Sequence, residues 1–358
     1  MRGLKSVLLL LSVGLLSCEK EPDLVGNPGS RPQPQAWLID AGEVFDGGPG
    51  KDGIPSVDDP EHISAAEATY LDSEDLVVGY VYEGEARAYP HKILDWHEIV
   101  NDGIGDNLFA LTYCPLTGTA GNWNRRIEGL ATTFGVSGLL YNSNLMPYDR
   151  STESLWSQMR LDCVNGALIG NKISLFHSVE TTWSTWKKMY PDTKVLSTNT
   201  GFDRNYNSYP YTSGPQDYRI DPFLLFPIDN LDNRLHTKER VLGVVNNGDV
   251  TAYTFSLFPQ DVSSISIIND VVGGDKVAII GSERYNFILA FIVEDQLLEP
   301  LSSLNDGFVK DQNENIYDPF GYVISGPDTG ERLGTLDAYI GYWFAWAEFY
   351  PDIVIFDE

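Results

Sequence analysis

Residues 77–89, VVGYVYEGEARAY, lie over residues 241–253, VLGVVNNGDVTAY, at a constant separation of 164, with Val77, Gly79, Val81, Gly84, Ala88 and Tyr89 identical to their partners. Further along, IVNDGIGD (99–106) matches IINDVVGGD (267–275), and WSTWKKMYPD (183–192) matches WFAWAEFYPD (343–352). Three matches in the same order at nearly the same separation predict a tandem duplication, the strongest constraint on what this chain can fold into. The expected division is a leader over 1–18, a disordered tether over 19–36, copy one over 37–196, a Tyr- and Pro-rich connector over 197–239, and a degenerate copy two over 240–358.

Each copy opens on a hairpin signal, Glu83-Gly84 in the first and Asn247-Gly248 in the second, between β-rich runs. Copy one continues with a short helix in PHKILDWHEIVND. Pro90 is expected as its first residue, Ile93, His97 and Val100 as one stripe, and Asn101-Asp102-Gly103 as its stop. A buried strand then runs to Cys114, and a second helix, TTWSTWKKMY, ends at Pro191. The fold class is therefore α+β and strand-rich, built from two copies of one unit: hairpin, short helix, strands, second short helix. Chain length and apolar content suggest two domain-sized cores.

The leader carries Arg2 and Lys5 before an apolar run, Val7 to Leu16, too short to cross a bilayer. It ends Leu15-Leu16-Ser17-Cys18, which resembles a lipobox, so Cys18 is the expected site of lipidation and the body is expected to be exported on a lipid anchor to an outer or cytoplasmic membrane. The chain has 24 basic and 51 acidic residues. That charge disfavours nucleic acid and anionic lipid as partners.

Duplication supplies an internal control. Features in both copies are scaffold; polar residues in one copy are candidates for chemistry. Copy one holds His91, His97 and His177 where copy two has Phe255, Ile265 and Asp337, and its strand-end Cys114 has no cysteine counterpart. Thiolate and imidazole suit Cu or Zn, and an imidazole beside a thiol also makes a nucleophile or redox group. The candidate catalytic residues are Cys114, His97, Asp149 and Arg150. The candidate metal ligands are Cys114, His97 and His177, and the candidate binding residues are Tyr113, Trp156 and Gln158. The bland readings remain open: His97 as a core histidine, His91 as a surface residue at a helix start, and Cys114 as a small core hydrophobe or a disulfide partner of Cys163. The acidic loop Asp52, Asp58 and Asp59 matches no Ca²⁺ spacing and reads as a turn.

The stretches GEARAYPHKILDWHEIVND, ALTYCPLTGTA, TFGVSGLLYNSNLMPYDRSTESLWSQ and TTWSTWKKMYPDTKVLS together resemble a bacterial family catalogued as domain of unknown function 3179. The resemblance implies an exported protein without an assigned activity. The family's strand-end motif reads Cys-Pro-Leu-Cys-Gly-Thr-Ala, whereas Thr117 stands here at the second cysteine, which removes the resolving thiol that dithiol exchange requires. Two functions follow as expectations. One is a lipoprotein with a metal-binding or redox-related site centred on Cys114 and His97. The other is a non-catalytic envelope protein that binds glycan or peptide on a surface formed by Tyr206, Tyr209 and Tyr211.

Overall fold

The computed structural model describes residues 36–213, 216–258, 260, 265–301, 304 and 307–357. The leader, Cys18 and tether residues 19–35 lie outside them. Ala36–Glu358 form one compact unit, strand-rich, with three short α-helices among the described residues: α1 (His91–His97), α2 (Trp183–Met189) and α3 (Trp343–Phe349).

Two mixed sheets share one strand order. In the first, Val179–Thr182 runs antiparallel to Leu76–Tyr82, which pairs with Glu85–Pro90, which is parallel to Lys194–Leu196; His62–Ser64 closes the edge. In the second, Asp337–Tyr342, Arg240–Asn246, Asp249–Thr254 and Val354–Ile355 repeat that order and those directions. The two-residue hairpin turns require left-handed backbone, and both supply it: Glu83 and Gly84 at φ 47° and 81°, Asn247 and Gly248 at 49° and 94°. An antiparallel sheet follows each hairpin, with Ile99–Ile104, Asn107–Cys114 and Thr119–Asn124 in the first half and Ser266–Val272, Asp275–Ser282 and Phe287–Ile292 in the second.

Several recurring residues make the same contact in both halves. Gly79 lies under the Trp186 ring and Gly243 under Trp346, and a Cβ on either glycine would come within 2.2 or 2.3 Å of the indole. Tyr89 donates to Asp102 at 2.5 Å, and Tyr253 donates to Asp270 at 2.6 Å. Each Tyr–Asp bond ties a mixed sheet to its antiparallel neighbour.

Two expectations change here. Helix α1 is shorter than its apolar stripe suggested. Pro90 caps it from the preceding strand, and Glu98 ends it at φ 58°; Ile99 and Val100, β-branched, begin a strand that pairs with Thr112 and Leu111. The cores are also not one per copy. One cluster joins Val77, Ile93 and Tyr113 to Ile280, Phe291 and Phe320, and a second joins Cys114, Trp123 and Trp156 to Tyr342, Trp343 and Trp346. The connector is mostly irregular, yet Tyr206 and Tyr218 are buried in these clusters. Lys238 fixes it by donating to the carbonyls of Tyr218, Asp221 and Phe223 at 2.5, 2.8 and 3.0 Å.

The glycine–indole contacts give a direct test. Gly79→Ala and Gly243→Ala should each destabilise the protein by about 1–3 kcal/mol through overpacking. Urea unfolding should register both losses, and an unchanged midpoint would contradict the close approach.

Candidate functional site

The strand that ends at Cys114 alternates its side chains between two cores, and this decides the fate of the thiol. Cys114 faces the cluster containing Trp123 and Trp156, is 1% exposed, and makes one weak contact, to the carbonyl of Ser143 at 3.8 Å. Burial, then the nearby Glu98 charge, lifts its pKa to about 11. Cys163 is also free and buried, so the two cysteines form no disulfide. His97 is fully buried at the end of α1, with Nδ1 at 2.8 Å from the Pro55 carbonyl and Nε2 at 2.7 Å from the Tyr206 hydroxyl. Both ring nitrogens are therefore spent, on partners other than Cys114. His177 is distant in role as well, packed on Phe291 and Phe320 with its pKa driven down to about 3 by burial. No group of three His, Cys, Asp or Glu able to hold a metal occurs among the described residues. The proposed ligand set of Cys114, His97 and His177 does not assemble.

The segment after Tyr148 is equally architectural. Asp149 is fully buried and accepts from the Thr152 backbone N–H at 2.7 Å and from the Trp156 indole at 3.1 Å, closing a tight turn. Its counterpart Asp311 does the same work with Asn313, Asn315 and Tyr317. Arg150 pins the acidic loop through Ser56 at 2.9 Å and Asp58 at 3.2 Å, which accounts for that loop without a cation. Gln158 is saturated: its amide donates to Thr112 and Thr119 and its oxygen accepts from Thr119 and Asn144, the network that also takes up Thr117. The connector tyrosines turn inward, Tyr211 donating to Glu98 at 2.7 Å and Tyr218 to the Leu116 carbonyl at 3.1 Å, so they form no aromatic surface.

Tyr113, one residue from the thiol and on the other face of the strand, leads to a different place. Its ring packs at a tilt against His91, with ring centroids 4.5 Å apart. Both line a cavity of about 420 Å³, walled by Asp95 from α1, Glu180 and Thr182 from the first mixed sheet, Arg219 from the connector, and Arg240 and Tyr342 from the second half. His91 and Asp95 are one helical turn apart and so share a face. A larger cavity, about 780 Å³, runs beside Thr251 and the C-terminal strand, but no unpartnered buried polar atom faces it. In the α1 cavity three converge: His91 Nε2, Asp95 Oδ1 and Glu180 Oε2.

The electrostatics match that geometry. Asp95, 6% exposed, has no hydrogen-bond or ion-pair partner, and burial pushes its pKa up to about 8, against the pull of Arg219. His91 is held neutral down to about 3, by burial and then by Arg240 and Arg219. Glu180 donates nothing and accepts one bond, from Arg240 at 2.7 Å, while its other oxygen stands 3.9 Å from His91 Nε2, too long for a hydrogen bond. The remaining cations are engaged: Arg219 grips Asp217 at 2.6 Å and Lys92 grips Asp75 at 2.6 Å.

A family profile described as "Protein of unknown function (DUF3179)" matches residues 51–353. The chain belongs to this family. No curated protein and no solved structure matches it. The matched span of this DUF3179 protein contains the whole cavity wall. Of the candidate catalytic, metal and binding residues, Tyr113 alone lines that cavity. His91, noted as a copy-one histidine with a surface position as its open alternative, lines it too. Asp95, Glu180, Arg219 and Arg240 carried no signal, because what distinguishes them is the absence of a partner or a partner far along the chain.

Two outcomes check this picture. Native protein should leave Cys114 unlabelled by a maleimide that reacts fully in urea, and labelling at the rate of a free thiol would reverse the assignment. Between pH 4 and 8 the unfolded chain has released the Asp95 proton while the folded chain keeps it, so this group costs stability as pH rises, by up to about 1.4 kcal/mol per unit. Asp95→Asn should therefore stabilise the protein progressively from pH 4 to 8 in thermal melts, with little change below pH 4.

Proposed function

We propose that this DUF3179 protein is an exported lipoprotein whose working site is the α1 cavity, where it takes up a small polar molecule and can exchange a proton with it. One observation carries the reading: buried polar atoms from His91 and Asp95 on α1 and from Glu180 on the first mixed sheet face one cavity with no partner in the protein. Unpartnered groups of this kind cost about 1–3 kcal/mol each and are retained where a ligand completes them. The protonation states add to it. Asp95 stays a neutral acid and His91 a neutral base over the physiological range, two adjacent groups whose environments drive their pKa values apart. Tyr113 and Tyr342 supply ring faces, and the Arg240–Glu180 pair fixes the carboxylate's orientation.

Export and anchoring rest on Arg2, Lys5, the apolar run and Leu15-Leu16-Ser17-Cys18. No helix among the described residues is long and apolar enough to cross a membrane. A duplication, with chemistry kept only in copy one, is part of the same proposal. The matching strand orders and the paired glycine–indole and Tyr–Asp contacts support it. So do the counterparts of the site. His91 is matched by Phe255, Glu180 by Ile340 and Tyr113 by Gly281, and the space over Gly281 is taken by the Phe258 ring. The Cys114–His97 metal centre and the tyrosine surface are set aside, since their groups are occupied within the fold.

The test is a thermal-shift screen with a panel of sugars, amino acids, amines, carboxylates and phosphates on the intact protein beside Asp95→Asn and His91→Phe. Compounds that raise the wild-type Tm should lose their effect in both variants. A panel without stabilisers, or stabilisers that act equally on all three proteins, would refute the site.

A further inference from the structure

We propose that the cavity binds a primary amine, its ammonium head held by Asp95, Glu180 and His91 and its hydrocarbon body lying against the apolar chamber on the other side of Asp95. The inference rests on the α1 cavity being the ligand site and adds the ligand's chemical class.

The case begins with donors and acceptors. Once ionised beside a cation, Asp95 Oδ1 and Glu180 Oε2 accept only, and a neutral His91 accepts at Nε2 when its proton sits on Nδ1. The cavity therefore offers three vacant acceptors. A primary ammonium brings three donors and no acceptor, and so matches them one for one. An anionic head would meet a wall whose cations are already committed: Arg240 to Glu180 and Asn286, Arg219 to Asp217, and Lys92 to Asp75. It would also place oxygen against oxygen at Asp95 and Glu180. Tyr113 and Tyr342 in the wall add aromatic rings, whose electron-rich faces attract a cation. The chain's formal charge of −27 draws small cations toward it at long range.

Asp95 also lines a second cavity, about 340 Å³, whose wall is largely apolar and includes Ile54, Leu116, Leu140, Leu145 and Phe226. One carboxyl thus stands between a charged chamber and an apolar one. An alkyl or aromatic group carried by the amine finds there the surface it would otherwise expose to water.

The protonation of Asp95 gives the binding a distinctive signature. The charged and titratable groups around it are His91 from α1 and Glu98 at its C-cap, Tyr113 from the buried strand, Glu180 and Tyr342 from the two mixed sheets, Tyr209, Tyr211, Asp217 and Arg219 from the connector, and Arg204 in the wall of the apolar chamber. An ammonium placed against the carboxyl favours its ionised form, so the Asp95 proton leaves to solvent as the amine arrives.

Isothermal titration of the intact protein with n-hexylammonium chloride at pH 7, in two buffers of different ionisation enthalpy, tests this. One site is expected, with release of close to one proton. Burial of methylenes contributes roughly fourfold each, so hexylammonium should bind at least tenfold more tightly than ethylammonium. Asp95→Asn and Glu180→Gln should weaken it tenfold or more, and Asp95→Asn is expected to fold at least as well as wild type. Hexanoate and 1-hexanol should not compete. Tighter binding of hexanoate, equal amine binding by Asp95→Asn, absence of proton release, or no binding at millimolar amine would each overturn the assignment. If the screen still yields stabilisers of another class that Asp95→Asn abolishes, the cavity stands and the amine falls; if it yields none, both fall.

Discussion

Each half of this protein completes the other, and the cavity exists because of that exchange. The edge of the second mixed sheet reaches the first half's strand-end loop, where the Tyr342 backbone N–H donates to the Thr117 carbonyl at 2.7 Å. The edge of the first mixed sheet reaches the equivalent loop in the second half, where Thr181 donates to the Tyr285 carbonyl at 2.6 Å. Contacts this close leave no room for side chains at Gly118 and Gly341, each of which lies against the opposite half. A cavity lined from three directions, by α1, by the connector and by the second half, is the geometric result. It also explains why two hydrophobic clusters cross the midpoint of the chain, while a third, around Tyr253, Phe258 and Ile279, stays within the second half.

Within that frame the polar groups fall into two classes. Gln158, Asp149, His97 and Asp102 are buried and fully engaged, Asp102 kept at about 2 despite its burial by His62, Arg87 and Tyr89. Such networks specify a unique arrangement because every member is satisfied. His91, Asp95 and Glu180 are buried and unfinished. Other buried polar atoms also lack partners, those of Asn122 and His177 among them, but His91, Asp95 and Glu180 line one cavity, where a ligand can offset the deficit.

Much of the framework was legible in the sequence. The hairpin turns, the second helix, the buried strand to Cys114 and the recurrence of one strand pattern all follow from short-range signals: turn residues, periodicity and self-similarity. The site was less so. Cys114 drew attention as a chemically soft residue, yet a strand's two-residue period puts Tyr113 and Cys114 in different cores, and nothing local says which core adjoins a cavity. His97 entered as a copy-one histidine with a core position as its open alternative, and the core position holds, both ring nitrogens being bonded within the fold. His91 shares a helix face with Asp95, a partner the sequence reading did not single out. Glu180 and Arg240 are 60 positions apart and meet only through the exchange between halves, so no local pattern could pair them.

The same exchange bears on why the site is one-sided. The position in the second half that matches the cavity in strand order is filled, and filling costs less than leaving polar groups bare. In the second half, Phe258 lies over Gly281, the position equivalent to Tyr113, and Phe255 and Ile340 stand where His91 and Glu180 do. Apolar side chains there recover the packing density of an ordinary core. The second half thereby contributes one wall, through Arg240 and Tyr342, to a cavity whose unpartnered polar atoms come from the first. Substitutions that repack the second half should consequently reach the site through Arg240, since that guanidinium both holds Glu180 and is itself held by Asn286 at 2.8 Å.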